Sequence, residues 1–132
     1  HHVKRHPDNR AIGVDLDAAT LAWGRQHNVE PLLDDEQRQR LSLLQRDVLE
    51  VRSPKADCIL ALNFSYSVFK TRKQLGDYVR NCFRSLRPGG VLFLDAWGGP
   101  DVLQKKTDRT RHRGFTYCWD QVRYDPISHH IE

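Results

Sequence analysis

With 132 residues of which 39% are apolar, the chain can bury one core of modest size. No apolar run approaches the ~20 residues that cross a bilayer, and the start His1-His2-Val3-Lys4-Arg5-His6-Pro7 lacks a signal-peptide apolar segment, so the reading is a soluble, cytoplasmic domain without membrane contact. The formal charge of +4 is largely local, and the three cysteines, Cys58, Cys82 and Cys118, are too few and too scattered for a disulfide framework or a zinc site and read as small buried thiols.

Residues 11 to 15, Ala-Ile-Gly-Val-Asp, read as a short buried strand ending on an acid. Asp17 suits the N-cap of a helix running through Asn28, with Ala18, Leu21, Ala22 and Trp23 turned inward. The charged stretch from Pro31 to Gln39 leads into a second strand over residues 42 to 46, ahead of Asp47, and Ser53-Pro54-Lys55 makes a turn. Residues 56 to 64 hold a nearly continuous apolar run, the pattern of a parallel strand covered on both faces, with Asn63 at its end. Thr71 caps a helix to residue 86 whose inward face is Leu75, Tyr78, Val79, Cys82, Phe83 and Leu86, and "RPGG", residues 87 to 90, stops it. Residues 90 to 96 form a further strand carrying Asp95, followed by Trp97 and the Gly98-Gly99-Pro100 turn.

Strand and helix alternate to this point, which predicts an α/β fold with a doubly wound, mostly parallel, Rossmann-like sheet. Lys105, Lys106, Arg109, Arg111 and Arg113 then fall within nine residues, a pattern read as a solvated loop before an anion-binding patch. Residues 115 to 124 alternate Phe115, Tyr117 and Trp119 with Thr116, Cys118 and Asp120, the period of a strand with two unlike faces. Paired with residues 127 to 132 beyond Asp125-Pro126, it makes a C-terminal antiparallel hairpin.

The order of these pieces resembles that of class I S-adenosylmethionine-dependent methyltransferases. "GVDLD" is similar to their second motif, "QRDVLEV" to the third, "ADCILALNFSY" to the fourth, and "LRPGGVLFLD" to the junction of a helix with the fifth strand, over about residues 11 to 97. In open α/β sheets ligands bind outside the carboxyl ends of the strands, where Asp15, Asp47, Asn63 and Asp95 fall. The resemblance implies S-adenosylmethionine as cofactor, with Asp15 on the ribose hydroxyls, Leu16 against adenine, Asp47 on its amino group and the Val48 N–H on a ring nitrogen. Asn63, Phe64, Ser65 and Tyr66 take the place where such enzymes meet the reactive methyl and the acceptor; Asn63 and Phe64 would also touch the cofactor, Asn63 and Tyr66 are the catalytic candidates, and Ser65, Trp97 and Trp119 would line the acceptor pocket. Each has a plainer alternative: Asp15 a strand terminus or local cap, Asp47 a loop acid, the polar groups of 63 to 66 turn residues satisfied by backbone, the tryptophans core.

The resemblance also marks a gap. A glycine-rich turn normally precedes the ribose acid by ~20 residues, but only fourteen residues precede Asp15, and neither Gly13, in a strand, nor Gly24, in a helix, can replace it. The expectation is a single methyltransferase-like domain over residues 1–132, truncated at both ends, lacking the first strand and inactive alone. No metal is implied. "NFSY" departs from the Asn-Pro-Pro-Tyr type used on planar nucleobase or glutamine nitrogen, so a small-molecule acceptor is favoured over nucleic acid, and oligomeric state stays open. Two other functions compete: a nicotinamide-dependent oxidoreductase, since a ribose acid serves either cofactor, and a non-catalytic module binding an anionic partner through residues 105 to 113.

Overall fold

The computed structural model describes residues 1–96 and 98–132. They divide into two compact units, the first made of residues 1–61 and 65–93, the second of 62–64 and 94–132.

The first unit begins with α1 (His2–Arg5) and β1 (Ala11–Asp15). The helix α2 (Ala18–Gly24) passes into a π-helical turn, Arg25–Val29, and α3 (Asp35–Gln39) leads into β2 (Leu41–Gln45). Strands β1 and β2 run parallel in the register Ala11 to Leu41 through Asp15 to Gln45. Gly13 lies opposite Leu43, and a Cβ there would come within 2.9 Å of Leu43 Cδ2, so close approach explains this glycine. Then follow β3 (Ala56–Ala61), a 3-10 turn (Ser65–Val68), α4 (Arg72–Ser85) and β4 (Leu86–Leu94), with β3 and β4 forming a second parallel pair. The predicted α/β, mostly parallel fold is therefore the one found.

Burial centres on Ala61 of β3 and on Tyr78 and Cys82 of α4, with Leu49, Ile59, Tyr66, Phe69, Leu75 and Leu92 packed around them. Burial raises the pKa of the Tyr78 hydroxyl and of the Cys82 thiol. Thr71 caps α4 reciprocally with Gln74, as its position before the helix predicts.

Several expectations are corrected. In α4 Leu75, Tyr78 and Cys82 face inward as predicted, joined by Asn81, while Val79 and Phe83 lie on the outer side, Phe83 at 78% exposure, because one narrow face meets the core. Leu86 is extended, and "RPGG" belongs to β4: proline disfavours a helical residue before it, so the helix ends by Ser85 and the tail continues as strand. In α2, Ala18, Ala22 and Trp23 are exposed, and Trp23 stacks on His27 across one turn, with ring centroids 4.5 Å apart. Covering of β3 on both faces is also overturned: Cys58 and Leu60 are exposed, since side chains alternate across a strand and only the Ile59 and Ala61 face meets α4.

In the second unit a 3-10 turn, Pro100–Leu103, precedes β5 (Lys106–His112), which pairs antiparallel with β6 (Phe115–Gln121) around Gly114, at φ 90°. The basic stretch read as a loop is thus mostly strand. Alternation explains it: Thr107, Arg109 and Arg111 share one side with Asp120, Cys118 and Thr116, while Asp108, Thr110 and His112 face Trp119, Tyr117 and Phe115. Cys118 is accordingly exposed. The expected pairing with the chain's end survives as a short ladder, with a Tyr124–Ile131 bridge and Val122 donating to the Glu132 carbonyl at 2.7 Å.

Candidate functional site

In the first unit, β1 and β2 end side by side. Asp15, the last residue of β1, faces Gln45, and its carbonyl accepts the Arg46 N–H at 3.0 Å. Its carboxylate Oδ1 accepts the Asp17 N–H at 2.9 Å, while Oδ2 has no protein partner among the described residues. Asp17 differs in kind: Oδ1 takes the Ala19 N–H at 2.8 Å and Oδ2 the Thr20 hydroxyl at 2.7 Å, so this side chain is spent as the cap of α2. The Thr20 hydroxyl, helped by the Ala19 N–H, holds the Asp17 pKa below its ordinary value. Two adjacent acids thus have distinct tasks, one saturated by its helix and one half-open at a strand end. Leu16 between them is 66% exposed, and its carbonyl accepts Gln45 Nε2 at 3.3 Å.

Asp47 stands two residues beyond β2, half-buried, with Oδ1 accepting the Leu49 N–H at 2.8 Å. The Val48 N–H has no protein acceptor among the described residues. Sequence reasoning missed what holds this loop. Asn81 of α4, 5% exposed, donates through Nδ2 to the Val48 carbonyl at 2.7 Å and the Val51 carbonyl at 3.0 Å, and accepts Arg52 Nε at 3.0 Å on Oδ1. Ser85, one turn on, also donates to Val51, at 2.9 Å. The signal was present, since Asn81 and Ser85 lie three and seven residues after Tyr78, on the buried side of the helix.

In the second unit, Asn63 and Phe64 follow β3 with φ of 55° and 53°. Consecutive left-handed residues cost about 1–2 kcal/mol each outside glycine, less for asparagine than for phenylalanine. Asp95, just past β4, offsets this: Oδ2 accepts the Asn63 N–H at 2.7 Å and Oδ1 the Phe64 N–H at 2.9 Å. Bonds to an ionised acceptor contribute about 1.5–3 kcal/mol each. Phe64 also meets Trp119 edge to face, centroids 6.3 Å apart. Sequence reasoning noted Asp95 only as a strand end.

Ser65 and Tyr66 begin the 3-10 turn of the first unit; Ser65 is exposed and Tyr66 half-buried against the core. Trp97 lies outside the described residues. The structure therefore brings Asp15 together with Leu16 and Gln45, and Asn63 and Phe64 together with Asp95 and Trp119. Two open hollows in the first unit, of about 340 and 380 Å³, are lined by none of the predicted site residues. Among the described residues no group of three His, Cys, Asp or Glu could hold a metal ion, and no helix is long and apolar enough to cross a membrane.

Comparison with known proteins matches residues 2–94 to a family described as a methyltransferase domain. Among solved structures, DesVI of Streptomyces venezuelae is similar over 92% of this chain and 59% of its own, at 20% identity and a TM-score of 0.62. The sugar N-methyltransferase KedS8 from Streptoalloteichus sp. ATCC 53650 is similar over 87% of this chain and 53% of its own, at 21% identity and a TM-score of 0.54. The chain thus spans between half and three-fifths of these proteins, and at such identity the likeness is one of fold. No curated protein sequence matches.

Proposed function

Since this chain belongs to the methyltransferase-domain family, we propose that it forms part of an enzyme that transfers a methyl group from S-adenosylmethionine to a small-molecule acceptor. The observation that carries the reading is the end of the β1–β2 pair. Among the described residues, Asp15 is fixed through one oxygen and keeps the other unpartnered, and nearby in sequence the Val48 N–H lacks an acceptor. A half-open carboxylate and a bare N–H fit an adenosine, whose ribose hydroxyls need acceptors and whose ring nitrogens need donors.

On this reading Asp15 accepts from the ribose, Leu16 packs on the adenine, and Asp47 and Val48 meet its edge. The cofactor supplies an activated methyl on a sulfonium, and the protein contributes orientation and electrostatics. Asn63 and Tyr66 orient the acceptor, Phe64 helps enclose the cofactor, and Ser65, Trp97 and Trp119 contact the substrate. A glycine-rich turn would meet the cofactor's amino acid end, and neither Gly13, in a strand, nor Gly24, in a helix, is placed to supply it. An amino sugar is the first acceptor to try, because a similarly folded protein, KedS8, is a sugar N-methyltransferase. A strand-end acid alone would serve a nicotinamide dinucleotide equally well, and family membership favours methyl transfer.

The test is calorimetric titration of the full-length protein with S-adenosylmethionine. Asp15→Ala should weaken binding by about 1.5–3 kcal/mol, the scale of a hydrogen bond to a charged group, with the fold intact by circular dichroism. Unchanged affinity removes Asp15 from the site.

A further inference from the structure

We infer that Asp95 is a positioning residue for the proposed reaction: its carboxylate locks the Asn63–Phe64 turn in the left-handed conformation from which the Asn63 carboxamide is presented. The inference rests on the methyltransferase reading for the role of Asn63, but its structural basis is independent of that reading. Two consecutive residues that are not glycine hold φ of 55° and 53°, and Phe64 has no side-chain group that could stabilise such a backbone by itself. Among the described residues their N–H groups find acceptors in the two oxygens of one side chain, Oδ2 at 2.7 Å and Oδ1 at 2.9 Å. The donors are adjacent in the chain and the acceptor lies 32 residues away from Asn63, at the end of a different strand. A turn of this strain does not persist unless its surroundings over-determine it, and such strain gathers where a side chain must be aimed. The Phe64 ring against Trp119 adds a second anchor.

The division of labour between the oxygens makes the inference testable. An aspartate accepts both N–H groups, an asparagine offers one oxygen and turns its NH2 toward the other donor, and an alanine offers nothing. Asp95→Asn and Asp95→Ala, made in the full-length protein, should therefore release the turn in that order. By NMR, exchange of the Asn63 and Phe64 amides should accelerate by about tenfold or more in Asp95→Ala and less in Asp95→Asn. In the same proteins kcat should fall by on the order of tenfold to a hundredfold, because misplacement of an orienting group is felt in the transition state. Affinity for S-adenosylmethionine should weaken less than kcat falls, since of the residues proposed to hold the cofactor only Asn63 and Phe64 are released, while Asp15, Leu16, Asp47 and Val48 are untouched. A general loss of stability would not produce that split.

Unchanged amide exchange in both variants overturns the inference, as does faster exchange with kcat intact. Should Asp95→Ala fail to fold, the isosteric Asp95→Asn carries both measurements. Failure of the methyltransferase reading shows elsewhere, as wild-type protein that binds no S-adenosylmethionine before any variant is made.

Discussion

Asp15 and Asp17 illustrate how little residue type alone decides. They lie two positions apart, one ending β1 and one preceding α2, yet Asp17 spends both oxygens on α2 and Asp15 only one, on the Asp17 N–H. The consequence for Asp17 is a pH dependence whose sign is fixed. Its pKa is lowered in the fold by the Thr20 hydroxyl and the Ala19 N–H, so its contribution is fully present above the unfolded value near 3.9 and is lost as pH falls through the lower folded value. Asp17→Ala should therefore lower the Tm at pH 7 and make little difference at pH 2. An equal loss at both values would mean that the charged form is not what caps the helix. The cap was legible from sequence because capping is local, a matter of three or four successive residues. The partners of Asp95 were not, since 32 residues separate it from Asn63 and nothing in either neighbourhood refers to the other.

At the scale of elements, two polar side chains fix segments that lack regular structure. Asn81 ties the loop bearing Asp47 and Val48 to α4. Asn81→Ala should destabilise the protein by about 1–3 kcal/mol, since it leaves partners buried and unpaired, and should weaken S-adenosylmethionine binding in the full-length protein. Thermal melts and calorimetry check the two effects separately. Arg40, just before β2, sends Nη1 to the carbonyls of Val3, His6 and Asn9 at 2.7, 2.8 and 3.0 Å, gathering α1 and its connection to β1. Arg40→Ala should cost about 1.5–3 kcal/mol by denaturant unfolding, with amide exchange rising first over residues 2 to 9. Elements with a strong apolar period were legible within a few residues: β1 at its predicted bounds, β2 one residue earlier, α4 as Arg72–Ser85. The strand β5 was not, because six of the nine residues from 105 to 113 are Lys, Arg or His, and composition outweighed an alternation that shows only against its partner β6. The short helix α3 was hidden likewise, its sequence Asp-Glu-Gln-Arg-Gln presenting no apolar face at all.

The whole molecule carries a tension between pattern and burial. Parallel strands ordinarily have both faces covered and their edges paired. Among the described residues β1–β2 and β3–β4 are separate two-stranded parallel pairs, so each strand has one edge with no neighbour there. Ile12, Leu60, Val91 and Phe93 on those strands are 41–62% exposed, and among the described residues only Val3, Leu33, Ala61, Tyr78 and Cys82 are both apolar and buried. Pattern alone made these strands look like core because an apolar run records what a strand is built to meet, which need not lie in the same stretch of chain. Open edges beside exposed apolar faces template association with other chains. Residues 1–132 expressed alone should therefore form soluble aggregates by light scattering, bind a hydrophobic dye, and melt over a broad range. The full-length protein should be monodisperse, melt cooperatively and bind S-adenosylmethionine, with both changes arising from the same added segment. A cooperative, dye-silent 132-residue chain that binds the cofactor at micromolar concentration would mean that these edges and faces are stable as they stand, and that the groups meeting the cofactor's amino acid end lie within the sequence described.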